Sequence, residues 1–310
     1  MHVERYYMIV TVICWLASRP SLPRGNRLHW SFAAFVMAML ASWMASPCGS
    51  TGDDTVENYL KFAVFYVVLV STVRTEQDLR RILFGYLAVM TLWMAHCVRE
   101  YNNGLATWAQ GIKRLVPVGH SYDFNDFAGL IVCSLPFAWV LWREWTGWAA
   151  RLLTVAYCGL AGYCIMLSGS RMGVVGIAMT VIVGCLASAK RWRLLAIAPV
   201  LAAVVWMMLP EDRRNRYLTL YDPDAGAASG AAASAGNYRS NGLVAALPLF
   251  EERPLLGYGP MGFMAKKGWL PHNLYGQLLA ELGIAGAVSF ASILLCVALN
   301  VVQARRIARD

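Results

Sequence analysis

Apolar residues gather into runs along this chain, and polar stretches separate the runs. Nine runs stand out, at 4–18, 29–45, 59–73, 82–97, 126–142, 152–167, 173–189, 194–209 and 277–303. Several are long enough to cross the apolar core of a bilayer, which takes about 20 residues, or somewhat fewer. The pattern predicts an all-α polytopic transmembrane bundle of about nine spans.

The connections sort by charge. One set is short and basic: 19–28 (Arg19, Arg24, Arg27), 74–81 (Arg74, Arg80, Arg81), 143–151 (Arg143, Arg151), 190–193 (Lys190, Arg191, Arg193) and the tail (Arg305, Arg306, Arg309). The alternate set opens with 46–58, which holds Asp53, Asp54 and Glu57 and no Lys or Arg. It continues with 98–125, a turn around 168–172 and the long segment 210–270. Basic loops stay cytoplasmic, so the first set is expected inside, with the C-terminus, and the second set outside, with the N-terminus. A short first span that starts outside is also what a chain lacking leading helices shows. The expected organisation is eight spans over 1–209, one large outer loop over 210–270, and a last section, 271–310, holding the final span and a cytoplasmic tail. The middle of the loop, DPDAGAASGAAASAG, has no apolar pattern and is expected to form a mobile strap.

Composition agrees. Hydrophobic residues make up 58% of the 310, charged residues only 15%, and mean hydropathy is +0.48. A soluble domain carries roughly 25% charged residues. The net charge of +9 does not point to nucleic acid, because basic residues in such a chain record orientation. The eight cysteines form no C-x-x-C pair, and those inside apolar runs read as small hydrophobes. Cys48 and Cys97 lie near loop ends on the outer side, where spacing alone cannot set disulfide geometry. The first apolar run is followed by Arg19-Pro20 rather than a small-residue cleavage site, so it reads as a retained helix.

The last apolar section begins PHNLYGQLLAELGIAGAVSF. On a continuous helix, positions 4, 7, 11 and 14 after His272 return to its face. They are Gly276, Leu279, Gly283 and Gly286. Small residues on one stripe let helices approach closely in a bilayer. The positive end of a helix dipole disfavours an imidazolium, which leaves a histidine there able to accept a proton. Taken alone, His272 is better explained as an interfacial histidine capping a helix. Glu281 lies about half a turn off that face, a poor partner for His272 and a candidate to bond a neighbouring helix.

In LSGSRMGVVGIAM, Arg171 opens a helix on the outer side, against both the dipole and the charge rule. Free helix amides plus a guanidinium suit an anion. A snorkelling arginine is the plainer alternative. Gly169 and Gly173 flank it and permit close packing. In the outer loop, NYRSNG holds Arg239, and ERPLLGYGPMGF follows. Gly257-x-Gly259-x-x-Gly262 matches a dinucleotide fingerprint only formally, since no βαβ unit surrounds it. Pro254, Gly257, Gly259 and Pro260 read instead as a rigid bend back toward the membrane. In GHSYDFNDFAGLIV, His120, Asp123, Asn125 and Asp126 precede a span. Helix capping explains the acids and the Asn, and no second ligand cluster supports a metal.

Together these pieces resemble the O-antigen ligase and polymerase superfamily of bacterial inner-membrane glycosyltransferases. The family pattern H-[NSQ]-x9-G-x-x-G is matched by His272-Asn273 through Gly283 and Gly286. Ser170-Arg171 resembles the family's Ser-Arg turn opening a transmembrane helix. Arg239 followed by Pro254-Leu-Leu-Gly257-Tyr-Gly259 is similar to its loop arginine and Pro-x-x-Gly-x-Gly segment. Asp123-Phe-Asn125 before a helix carrying Pro136 looks like the branch found alongside exosortase systems. The likeness covers roughly 115–303. Where the family commonly has a tryptophan after the loop arginine, Asn241-Gly242-Leu243 stands here.

The resemblance implies transfer of an undecaprenyl-pyrophosphate-linked glycan to a hydroxyl at the periplasmic face, inverting and without metal or cofactor. His272 would be the base, with Arg171 and Arg239 on the pyrophosphate. Asn273, Asp123, Asn125 and Ser170 would contact substrate, and Gly276, Gly283 and Gly286 would pack the helix. Ligase, polymerase and protein O-oligosaccharyltransferase differ only in acceptor, and membrane lipids are the remaining partners. Rival readings are a lipid-linked glycan transporter, which should show helix breaks in the bilayer middle and symmetric halves, neither of them visible in the sequence, and an inactive truncated homologue.

Overall fold

The structure, a computed structural model, describes residues 3–18, 25–109, 111–119, 123–188, 196, 206–207, 211–218 and 229–307. The expected span 194–209 and His120 fall largely or wholly outside the described residues. The chain divides into two compact units, Met1–Arg74 with Ser234–Asp310, and Thr75–Ala233.

Eight of the nine apolar runs lie on helices, and most of these helices reach beyond their runs. The reason is in the polar flanks. α1 is Val3–Ala17 and α2 is Arg27–Met44, which starts where Asn26 accepts a hydrogen bond from His29 N. α3 (Asp53–Thr72) begins on Asp53 and Asp54, which suit a helix N-terminus. α4 (Glu76–Asn102) begins at a reciprocal capping box between Thr75 and Asp78. α5 (Phe124–Glu144), α6 (Trp148–Ser168), α7 (Arg171–Ala187), α8 (Glu211–Leu218), α9 (Ser229–Glu252), α10 (Gly262–Lys267) and α11 (Leu274–Ile307) follow. Among the described residues, four helices are long and apolar enough to cross a membrane: α4, α5, α6 and α11. α1 and α7 hold shorter apolar stretches. The protein is a membrane protein of mostly helical structure, and four spans meet that measure among the described residues.

Two expectations are corrected. The region 98–125 contains a β-hairpin, β1 (Ala106–Ala109) against β2 (Ile112–Leu115), antiparallel with Thr107 opposite Arg114. The supposed strap is partly helix, since α9 takes in its alanine-rich second half. Alanine is the best helix former, and reading Ala with Gly and Ser as flexible linker underweighted it.

In the first unit, α2 and α11 pack through Met39, Leu278 and Leu282, with Phe35 and Phe290 alongside. A second cluster joins α9, α10 and α11 through Ala246, Leu249, Phe263 and Ala280. α11 is not continuous. Gly283 stands at φ 59° and ψ −157°, a region open to glycine alone. In a bilayer, the backbone groups freed by such a break must be bonded internally. Here the 254–259 segment bonds them. Ile284 N donates to Pro254 O at 2.8 Å and Ala285 N to Leu255 O at 3.2 Å. In return Tyr258 N donates to Ala280 O, and Gly259 N to Glu281 O, both at 2.9 Å. Ser42 Oγ adds a bond to Glu281 O at 2.7 Å. The Pro-x-x-Gly-x-Gly segment is therefore a plug for the helix break. A Cβ on Gly257 would lie 2.8 Å from Ala280 O, so the plug fits only bare backbone.

In the second unit, α4, α5 and α6 share a core of Leu87, Met94, Phe127, Ile131, Tyr157, Ala161 and Ile165, closed at one end by Leu115 of β2. α7 lies on α5, where a Cβ on Gly173 would come within 2.9 Å of Ala128 Cβ. Cys48 and Cys97 are both free thiols, and Cys97 Sγ accepts from Val118 N at 3.4 Å.

Candidate active site

His272 lies two residues before α11. Pro271 before it is buried. Asn273 after it caps the helix, its Oδ1 accepting from Gly276 N at 2.9 Å. Between them His272 holds φ 46°, a left-handed conformation that costs a residue with a Cβ about 1–2 kcal/mol. Its side chain is exposed. A strained, exposed histidine at a helix mouth is a reason to ask about function.

α9 crosses the chain at this point. A Cβ on Gly242 would fall on the Pro271 carbonyl and 3.3 Å from Asn273 Cβ. A Cβ on Gly276 would lie 2.9 Å from Gly242 O. The two backbones thus touch through a pair of glycines. Arg239 stands one turn before Gly242 on the same face of α9. Its side chain lies outside the described residues. His272 and the backbone of Arg239 therefore belong to the same unit, on elements in direct contact.

The glycine stripe is corrected. His272 is outside the helix, and the break at Gly283 ends the helical phase that linked it to Gly283 and Gly286. Each glycine answers a separate demand. Gly276 admits α9, Gly283 turns the chain against Pro254 and Leu255, and Gly286 leaves room for Leu282. The side-chain hydrogen bond of Glu281 is to its own helix, not to a neighbouring one. Its buried carboxyl accepts from Gln277 Nε2 at 3.2 Å and faces the amides of Met261 and Phe263 at the start of α10. Near the plug, the Tyr258 hydroxyl donates to the Glu252 carboxylate, which holds the phenol above its usual range.

The second unit brings four of the expected residues together. Asp123 caps α5 and accepts from Asn125 Nδ2 at 3.2 Å. Ser170, fully buried, caps α7 and donates to Asn125 Oδ1 at 2.8 Å. Arg171 is the first residue of α7 and engages other groups. Three of the expected substrate contacts, Asp123, Ser170 and Asn273, thus have capping duties that fix helix starts. Among the described residues no three His, Cys, Asp or Glu side chains gather to hold a metal ion.

Two arginines of this unit were missed. Arg114 of β2 is fully buried, and its Nε donates to Ser168 O at 2.6 Å. Arg213 of α8 donates to Met166 O, and to Lys113 O at 3.1 Å. Both satisfy carbonyls at the end of α6, where a cation suits the dipole. The signal was available: Arg114 and Arg213 lie in connections sorted as outer, where basic residues go against the charge rule.

The family model described as O-antigen ligase matches residues 156–291. That stretch takes in Arg171, Arg239, His272, the plug and the helix break, and leaves out Asp123 and Asn125. No curated protein and no solved structure gives a match.

Proposed function

We propose, since the chain belongs to the O-antigen ligase superfamily, that it transfers a glycan from undecaprenyl pyrophosphate to an acceptor hydroxyl at the outer face of the bacterial inner membrane. The observation that carries this reading is the match over 156–291, which includes all three residues assigned to chemistry. In the proposed arrangement the connections 46–58, 98–125 and 210–270 face the periplasm and the C-terminus faces the cytoplasm, with about nine spans in all.

The acceptor hydroxyl attacks the anomeric carbon from the face opposite the pyrophosphate. A new carbon–oxygen bond forms as the bond to the phosphate oxygen breaks, and the configuration inverts. His272 takes the hydroxyl proton as general base. Arg171 and Arg239 hold the pyrophosphate and stabilise the charge left on its oxygen. Asn273, Asp123, Asn125 and Ser170 support these groups, by capping and hydrogen bonds. The left-handed backbone of His272 favours the base role over a simple cap, because a cap needs no strained residue beside it.

A transporter is the rival from another class, and the break at Gly283 is a mark it shares. The bonds around the break speak against it. Transporter breaks leave backbone groups for substrate or ions, whereas here the 254–259 segment and Ser42 occupy them. The deciding experiment reconstitutes the full-length protein in liposomes with a glycan-loaded undecaprenyl pyrophosphate and candidate hydroxyl acceptors. Glycan covalently joined to an acceptor is the expected product. Movement of intact donor between leaflets with no such product would overturn the proposal. Comparing envelope glycans with and without the protein then identifies the acceptor as lipid, growing glycan or protein.

A further inference from the structure

A guanidinium is a poor choice for filling space. Burying one costs heavily unless its donors find directed partners, and an aliphatic side chain would fill the same volume. Arg114 is nonetheless fully buried. Three contacts locate it. Its Nε donates to Ser168 O at 2.6 Å, a carbonyl in the last turn of α6 that no helical amide can reach. Its guanidinium carbon lies 3.2 Å from the ring centre of Phe124. Gly169 lies against the same strand, since a Cβ there would overlap Ile112 and stand in ordinary contact, 3.5 Å, with Arg114 Nε.

These contacts bracket one hydrogen bond. Ser168 is two residues before Ser170, and Phe124 sits between Asp123 and Asn125. Ser170 and Asn125 are joined at 2.8 Å. Arg114 therefore grips both sides of the link that fixes where α7, and with it Arg171, begins. The hairpin β1–β2 gives that grip a fixed base, since Arg114 is paired in register with Thr107.

We infer that Arg114 is a positioning residue for donor binding, which acts by holding the Ser168–Arg171 turn against the start of α5. The inference rests on the proposal that Arg171 binds the donor pyrophosphate. A change at Arg114 leaves Arg171 in the chain but loosens its placement. Lysine keeps a cation near Ser168 O and loses the planar face on Phe124. Glutamine keeps a donor of sorts and loses the charge.

The test uses full-length wild type, Arg114→Lys and Arg114→Gln in liposomes, with donor KM, kcat and direct binding of radiolabelled undecaprenyl pyrophosphate as readouts. Arg114→Gln is expected to raise donor KM, and weaken binding, by roughly tenfold or more, with kcat at saturating donor within about twofold of wild type. Arg114→Lys should fall between. If Arg114 were only core filling, the loss would follow the folded fraction: kcat would drop and KM and affinity would stay put. That outcome, or unchanged affinity in both variants, overturns the inference. A wild type that binds undecaprenyl pyrophosphate yet transfers nothing overturns the proposed reaction instead, and the binding comparison still decides Arg114.

Discussion

Gly242 and Pro271 meet backbone to backbone. The approach is so close that a single methyl group on Gly242 would occupy the Pro271 carbonyl oxygen. Pro271 is followed by His272, so the crossing of α9 over the mouth of α11 sets where the imidazole starts. Gly242→Ala should displace the 271–273 segment and lower glycan transfer by about 10- to 100-fold, as misplacement of a catalytic group does. Gly129→Ala in α5 is the control, since nothing lies within 4 Å of a Cβ there. Transfer rates of the two variants at equal membrane levels check this. Equal rates would remove the positioning role of the crossing.

Gly283 tests the plugged break. Its φ and ψ belong to glycine, and a Cβ would lie 2.6 Å from the Leu255 carbonyl. Gly283→Ala is expected to cost about 1–3 kcal/mol from backbone strain alone, with the clash added. The alternative for the chain is to close the helix and expel the plug. Hydrogen exchange reads the difference, because the amides of Tyr258 and Gly259 lose their acceptors on α11. Protection unchanged at both amides would show that the break does not depend on glycine.

Helix placement was legible in the sequence because it rests on apolar runs and local caps. Thr75 with Asp78, and Asp53 with Asp54, even account for the ends that run past the apolar residues. The glycine stripe misled for a physical reason. A glycine that admits a neighbouring helix and a glycine that breaks its own helix look alike in an apolar run. Only the partner distinguishes them, and for Gly283 that partner is Pro254 and Leu255, some thirty residues earlier. The hairpin at 106–115 escaped because each strand is four residues long, too short for alternation to register. His272, Arg171 and Arg239 were singled out by residue type and spacing together with the resemblance to the family. Arg114 was not, since nothing local tells a buried arginine from a solvated one, although its place on the outer side was a hint.

Arg171 offers a test of the phosphate role. Its position at the start of α7 is fixed by Ser170, which both caps that helix and bonds Asn125. Arg171→Lys keeps the charge but replaces a planar fork with a point charge. Donor affinity should fall by about tenfold, and Arg171→Ala should lower it further. Titration with undecaprenyl pyrophosphate measures both. Wild-type affinity in Arg171→Ala would end the pyrophosphate assignment while leaving His272 untouched.

The sharpest test of the base separates the imidazole from its backbone. His272→Ala removes the ring but also places alanine at φ 46°, so a loss of activity there mixes chemistry with strain. Asparagine tolerates the left-handed region far better than most residues. His272→Asn should therefore keep Pro271 under α9 and Asn273 on Gly276 N, with thermal stability close to wild type. It cannot accept the acceptor's proton at neutral pH. Transfer should fall by about 100-fold or more, the usual worth of a general base, while donor binding through Arg171 persists. If His272→Asn binds donor and transfers at the wild-type rate, the proton goes elsewhere, and the left-handed turn is a packing feature rather than a catalytic one.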